Sequence, residues 1–237
     1  MVTFWEAIKR GYVGLFSPLV EWLVDRRVSP NTITSVGTLW AMTAGVIYAT
    51  GHISIAGWTL GLTAICDVFD GAVARRTGRS TVFGAFYDST LDRVADGAVL
   101  GGLVIFFARN DVHHSVPSWT STPMVGVLLM GIIGTFLTSY TRARAESLGI
   151  DAKVGMLQRP ERVVLLSAPQ AFFGLALGGW VLIGICILLA LTAWITAIQR
   201  VAFVHRVTRH LPEGEAESSA PPVAPPPVAA EAATLPR

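Results

Sequence analysis

The stretch "CDVFDGAVARRTGRSTVFGAFYDSTLD", Cys66 to Asp92, decides how this chain is read. Asp67, Asp70, Asp88 and Asp92 sit inside or against runs that are otherwise apolar enough for a membrane. Ionisable groups are costly there and point to function by default. On a helix, Asp67 and Asp70 are three residues apart and share a face; Asp88 and Asp92, four apart, do the same. Gly71 and Ala74 continue the first acidic face with almost no side-chain bulk, which lets a helix or ligand approach the backbone. "RRTGRST" between the pairs is a polar turn. Two helices joined by that turn bring their acidic faces together as a cage of carboxylate oxygens.

Outward from this stretch, the composition calls for more membrane helices. Of 237 residues, 52% are hydrophobic and 14% charged, with mean hydropathy +0.55. That balance lies outside soluble domains and inside polytopic membrane proteins. Apolar runs predict six spans, at about 33–50, 54–75, 84–108, 120–147, 160–177 and 180–204. A bilayer core of about 30 Å needs about 20 residues per helix, and the fifth run is short by that measure. Residues 1–28 alternate Phe4, Trp5, Ile8 and Tyr12 with Glu6, Lys9 and Arg10, and end on Asp25, Arg26 and Arg27. This suits an interfacial amphipathic helix broken at Ser17-Pro18. "SPNTIT" offers Ser29 or Asn31 as the cap of the next helix. Residues 210–237, rich in Pro, Ala and Glu, are expected to be a disordered tail. The expected architecture is all-α: an interfacial helix at 1–28, a six-helix membrane domain at 29–209, and the tail.

Basic residues set the expected topology. Lys9, Arg10, Arg26 and Arg27 precede span one, and Arg75, Arg76 and Arg79 lie between spans two and three. Arg142, Arg144, Lys153, Arg159 and Arg162 lie between spans four and five, and Arg200, Arg206 and Arg209 end span six. The opposite loops hold only Arg109. The positive-inside rule then puts both termini and the acidic cage on the cytoplasmic side of the cell (inner) membrane.

Four carboxylates side by side cannot all stay ionised without cations. Arg75 or Arg93 would neutralise part of the charge, and ordinary helix-end ion pairs are the bland alternative. Divalent metal is the better match, because magnesium, manganese and calcium take hard oxygen ligands. Asp96 extends the second acidic face by a turn and reads as outer support or a structural pair.

The pattern Asp67-x2-Asp70-Gly71-x2-Ala74-Arg75-x8-Gly84-x3-Asp88-x3-Asp92 resembles the signature of the CDP-alcohol phosphatidyltransferases, with eight fixed positions over 26 residues. The resemblance implies a six-helix membrane enzyme that works as a homodimer with two magnesium ions, manganese being possible. Asp67, Asp70 and Asp88 would hold one ion, and Asp67, Asp88 and Asp92 the second. Gly71, Arg75 and Thr81 would contact the CDP moiety of CDP-diacylglycerol, with Asn31, Thr32, Ile33 and Thr34 closing over the nucleotide. Asp92 would also be the catalytic base that takes the proton of the attacking alcohol.

The acceptor alcohol is read from "SYTRARAESLGIDAKVGMLQRPER", Ser139 to Arg162. Several guanidiniums suit a phosphorylated acceptor, since arginine makes bidentate contacts with phosphate oxygens. The S-Y-T-R-A-R-A-E and R-P-E-R blocks are similar to those of actinobacterial phosphatidylinositol phosphate synthases. That resemblance assigns Ser139, Arg142, Arg162 and Arg200 to the phosphate of an inositol phosphate acceptor. A glycerol 3-phosphate acceptor is the rival. Arg144, Lys153 and Arg159 read as topology determinants or contacts to anionic headgroups.

Other features read as structural. A divalent-cation transporter would need carboxylates at the midplane, whereas these lie at helix ends beside arginines. His113-His114 falls in the opposite loop, apart from the acids. Cys66 and Cys186 read as small buried hydrophobes. Trp40, Trp58, Trp119, Trp180 and Trp194 read as lipid-facing or belt anchors, and Gly101-Gly102 and Gly131 as packing positions. No nucleic-acid motif is present.

Overall fold

The computed structural model describes residues 17–209 apart from 79, 80, 111–114, 153 and 158; the side chains of Ser17, Ile65, Asp67 and Val68 are also outside the description. The helices are α1 (Ser17–Asp25), α2 (Pro30–Ala49), α3 (Ile53–Thr77), α4 (Val82–Ala108), α5 (Ser121–Ser147), α6 (Arg159–Phe173) and α7 (Trp180–Thr208). Among the described residues there is no strand. Residues 1–16 of the expected interfacial helix, the tail at 210–237 and His113-His114 lie outside the described residues.

Local chemistry places the helix ends. Ser29 caps α2 by position, with Pro30 in the first turn, but its side chain makes no capping hydrogen bond. Gly78 ends α3 at φ +64, the left-handed conformation glycine adopts without penalty, and its N–H bonds the Ala74 carbonyl. Thr81 opens α4, its Oγ1 accepting from the Gly84 N–H at 2.9 Å. The expected fifth span at 160–177 stops at Phe173: Gly174, Leu177, Gly178 and Gly179 all have φ between +53 and +77, which no right-handed helix continues.

Pairwise packing closes a ring. α2 lies against α3 and α4, α4 against α5, α5 against α7, α7 against α6, and α6 against α3. α4 and α6 therefore face each other across the interior. α1 lies outside the ring, on α3. Val20, Ile33, Phe69, Ala72 and Val73 form the buried cluster there, and Arg76 pairs with Glu21 at 3.1 Å.

Pro30–Ala49, Ile53–Thr77, Ser118–Ser147 and Ala176–Thr208 are long and apolar enough to cross a membrane. α4 is long enough but carries Asp88, Asp92, Arg93 and Asp96. α6 has 15 residues, about 22 Å at the α-helical rise, and is short for a bilayer core.

Lipid chains are as apolar as leucine, so close packing and hydrogen bonds hold such helices together. A methyl group on Gly102 would run into the Gly45 carbonyl, and one on Gly57 would lie 2.8 Å from the Ser167 carbonyl oxygen. These glycines set the α2–α4 and α3–α6 approaches. Gly101, expected to pack beside Gly102, instead faces open space. Tyr48, fully buried, donates to the Leu166 carbonyl at 2.7 Å and ties α2 to α6. Trp194, half-buried, packs on Gly134, and its Nε1 donates to the Met130 carbonyl at 2.9 Å, joining α7 to α5.

Candidate active site

The starts of α2 and α4 and the end of α3 form one side of the site. The N-terminal turn of α2 carries Asn31, Thr32, Ile33 and Thr34. Thr34 Oγ1 donates to Asp70 Oδ2 at 2.9 Å, fixing α2 to the acidic end of α3. Thr32 is exposed, whereas the Ile33 side chain is packed with Val20 and Phe69. A methyl group on Gly84 would lie 3.0 Å from Thr81 Oγ1 and 3.3 Å from Asn31 Oδ1, so these residues converge where the chain has no side chain. Gly71 plays the same part for Arg75, whose Nη1 would lie 3.1 Å from an added methyl group. One turn further along α2, the Ser35 hydroxyl meets the Tyr87 hydroxyl at 2.8 Å, a link the sequence did not suggest.

The second acidic helix meets arginines. Arg159 Nη2 lies 2.9 Å from Asp92 Oδ1, and Arg93 Nη1 lies 3.6 Å from Asp92 Oδ2. Arg162 Nη2 lies 3.3 Å from Asp96 Oδ2, and Arg159 Nε lies 3.9 Å from Asp96 Oδ1. Arg159 and Arg162 are three apart on α6, hence on one face, and that face meets the Asp92–Asp96 face of α4 across the ring. Arg159 thus departs from the expectation of a topology or headgroup residue. Lys153 lies outside the described residues, and Arg144 is exposed, its Nη1 3.4 Å from Ser147 Oγ.

Above this crossing opens a cavity of about 1100 Å³. Asp92, Ser139, Arg142, Arg162 and Arg200 all line it, together with Arg93 and Arg159. Five arginines against Asp92 and Glu146 leave its wall strongly cationic. Arg200 is held in place from two sides, Nε donating to the Val154 carbonyl at 2.8 Å and Nη1 to the Thr138 carbonyl. Arg142 Nε donates to Glu146 Oε1 at 2.9 Å, an exposed pair one helical turn apart. Ser139 Oγ bonds back to the Thr135 carbonyl at 3.3 Å. Glu146 and Tyr87 are the lining or linking residues that sequence reasoning missed.

Asp70, Asp88 and Asp92 lie on the helix ends expected of them, but among the described residues no three His, Cys, Asp or Glu side chains form a metal-binding group. The Asp67 side chain, expected as the ligand common to two ions, lies outside the described residues. The donor chemistry, carboxylate oxygens from two neighbouring helices, is the kind hard divalent ions take.

Comparison with known proteins follows the same line. The model of the CDP-alcohol phosphatidyltransferase family matches residues 27–205. The phosphatidylinositol phosphate synthase of Mycobacteroides abscessus is 36% identical over 190 residues, 80% of this chain and 83% of that one. The crystal structure of Mycobacterium tuberculosis phosphatidylinositol phosphate synthase with CDP-DAG bound matches with a TM-score of 0.70 and 29% identity, covering 79% of this chain and 92% of that chain. The structure of that enzyme in complex with manganese and citrate matches at 0.69 and 28% identity, covering 79% and 87%.

Proposed function

The chain belongs to the CDP-alcohol phosphatidyltransferase family, and from that premise we propose that it transfers the phosphatidyl group of CDP-diacylglycerol to a hydroxyl of an inositol phosphate, releasing CMP. One observation carries the reading: a single cavity of about 1100 Å³ is lined by Asp92 and by Ser139, Arg142, Arg162 and Arg200. A carboxylate beside a cationic pocket suits an alcohol that carries its own phosphate. The bound CDP-DAG in one related structure and the manganese in another are consistent with the same lipid donor and a divalent ion here.

In the proposed step, the acceptor oxygen bonds to the phosphorus that bears diacylglycerol. The bond from that phosphorus to the bridging oxygen breaks, CMP leaves with its electron pair, and the hydroxyl proton passes to a carboxylate oxygen of Asp92. A carboxylate offers about four lone-pair positions, so pairing with Arg159 and Arg93 leaves Asp92 capacity to accept. Asp67, Asp70, Asp88 and Asp92 would hold two divalent ions, magnesium or manganese, which supply charge neutralisation for the diphosphate. Gly71, Arg75 and Thr81, with Asn31 to Thr34, would bind the CDP moiety. Ser139, Arg142, Arg162 and Arg200 would orient the acceptor phosphate.

The same reading takes α2 to α7 as six crossings of the cell membrane, preceded by an interfacial helix within 1–28 and followed by the tail at 210–237. Both termini and the cavity would face the cytoplasm, and two copies of the chain would form a homodimer. Release of CMP from CDP-diacylglycerol by the purified chain, with each phosphorylated alcohol in turn, tests the acceptor. Inositol phosphate is expected to be turned over fastest. Faster release with glycerol 3-phosphate would overturn the choice.

A further inference from the structure

We propose that Asp96 is a positioning residue for the acceptor site, holding the Arg162 guanidinium at the floor of the cavity. The inference rests on the reading of Arg162 as an acceptor-phosphate contact. Asp96 is on α4 and Arg162 on α6, helices that face each other across the ring. Their 3.3 Å contact therefore spans the interior of the bundle, and both side chains are largely buried. The Arg162 guanidinium meets this carboxylate as an ion pair without a hydrogen bond: among the described residues, Arg162 Nε and Asp96 Oδ2 are both buried with no hydrogen-bond partner.

The two residues share one small space, and of the pair only Arg162 also reaches the large one. Arg162 lines the large cavity, together with Arg142, Ser139 and Arg200. Asp96 does not line it; it borders a second, smaller cavity of about 30 Å³ deeper in the ring, beside Leu60, Thr63 and Thr135, and Arg159 and Arg162 border that cavity too. Asp96 thus stands behind Arg162, outside the large cavity, and reaches that cavity through Arg162 at 3.3 Å and through the longer 3.9 Å contact with Arg159. A buried guanidinium without a counter-ion is costly, and a long flexible side chain escapes that cost by turning toward water. Asp96 removes that incentive. It keeps the fork of N–H groups at the cavity floor, where a phosphate meets it without first reordering the side chain.

The small cavity also supplies the control. It exceeds the roughly 10–15 Å³ that one water needs, so the extra methylene of a glutamate at this position has space beside it. Asp96→Glu keeps the charge facing Arg162, whereas Asp96→Asn keeps the shape and loses the charge.

The test uses the full chain in detergent micelles, with CMP release measured against CDP-diacylglycerol and inositol phosphate. D96N, D96E, R162A and the D96N/R162A double variant are compared, with thermal midpoints recorded alongside. D96N is expected to raise the acceptor KM about tenfold while kcat and the CDP-lipid KM stay within about twofold. D96E should return the acceptor KM to within about threefold of the parent, and D96N should add nothing in the R162A background. A lowered thermal midpoint with unchanged acceptor KM, or an equal rise in both KM values, would make Asp96 a structural ion pair and sink the proposal. If R162A itself leaves the acceptor KM unchanged, the reading of Arg162 fails and takes the proposal with it; a normal R162A response beside an inert D96N sinks the proposal alone. Should D96N not fold, D96Q is compared with D96E at equal length, and loss of the fold in both assigns Asp96 to stability and overturns the proposal.

Discussion

Arg159, in the first turn of α6, brings its Nη2 to 2.9 Å from Asp92 Oδ1 on α4. With side-chain exposures of 22% and 16%, this pair is only weakly screened by solvent. It gives the carboxylate proposed as the base a fixed orientation across the ring. A hydrogen bond between charged groups contributes about 1.5–3 kcal/mol, so Arg159→Gln is expected to lower kcat by about tenfold to a hundredfold. Initial rates of CMP release at saturating substrates check this. An unchanged kcat would mean that Asp92 needs no such anchor.

Asp92→Asn keeps the size of the side chain and removes its basicity. It is expected to abolish turnover, a loss of at least about a hundredfold for a missing proton acceptor. Thermal midpoint and gel filtration should match the parent. Residual activity near the parent level would remove Asp92 from the chemistry.

Glu146 competes for Arg142. The pair is one helical turn apart and about half exposed, so it contributes only a few tenths of a kcal/mol. Glu146→Gln should therefore leave stability unchanged and lower the acceptor KM by about twofold, since Arg142 is released toward the cavity. A rise in acceptor KM would show that Glu146 orients Arg142 and does not merely compete for it.

Neighbouring glycines on α4 make a sharper test of packing. Gly102→Ala places a methyl group against the Gly45 carbonyl and should destabilise the protein by about 1–3 kcal/mol, the usual cost of overpacking. Gly101→Ala meets nothing within 4 Å and should be neutral or slightly stabilising through helix propensity. Thermal midpoints of the two variants, measured side by side in detergent, decide it. Equal effects would contradict the close α2–α4 approach.

These two glycines also mark what a sequence reveals and what it hides. A Gly-Gly pair signals close packing, but adjacent residues on a helix point about 100° apart, so only one of them meets the neighbour. The acidic ends of α3 and α4 and the basic mouth were legible, because charge placed against apolar runs stands out without any tertiary information. Ser139, Arg142, Arg162 and Arg200 were singled out by the resemblance to the phosphatidylinositol phosphate synthases, not by spacing, and all four line one cavity with Asp92. The pairing of Asp92 and Asp96 with Arg159 and Arg162 on α6 was not anticipated, because α4 and α6 meet only when the whole ring closes. The available signal was the three-residue spacing of Arg159 and Arg162, which puts both on one face. The length of α6 was misread for a local reason: apolar residues continue to Leu177, while the backbone has already turned left-handed at Gly174.

Beyond the arginine–aspartate crossing, Leu103, Phe106, Phe107 and Leu182 are each fully buried in the main apolar cluster. The wet vestibule thus ends against a dry plug. If the bundle crosses the membrane as proposed, an inositol phosphate would enter partway into its thickness without opening a path through it. Permeability and access are separated along one axis, so an engineered widening of the mouth should not by itself create a leak.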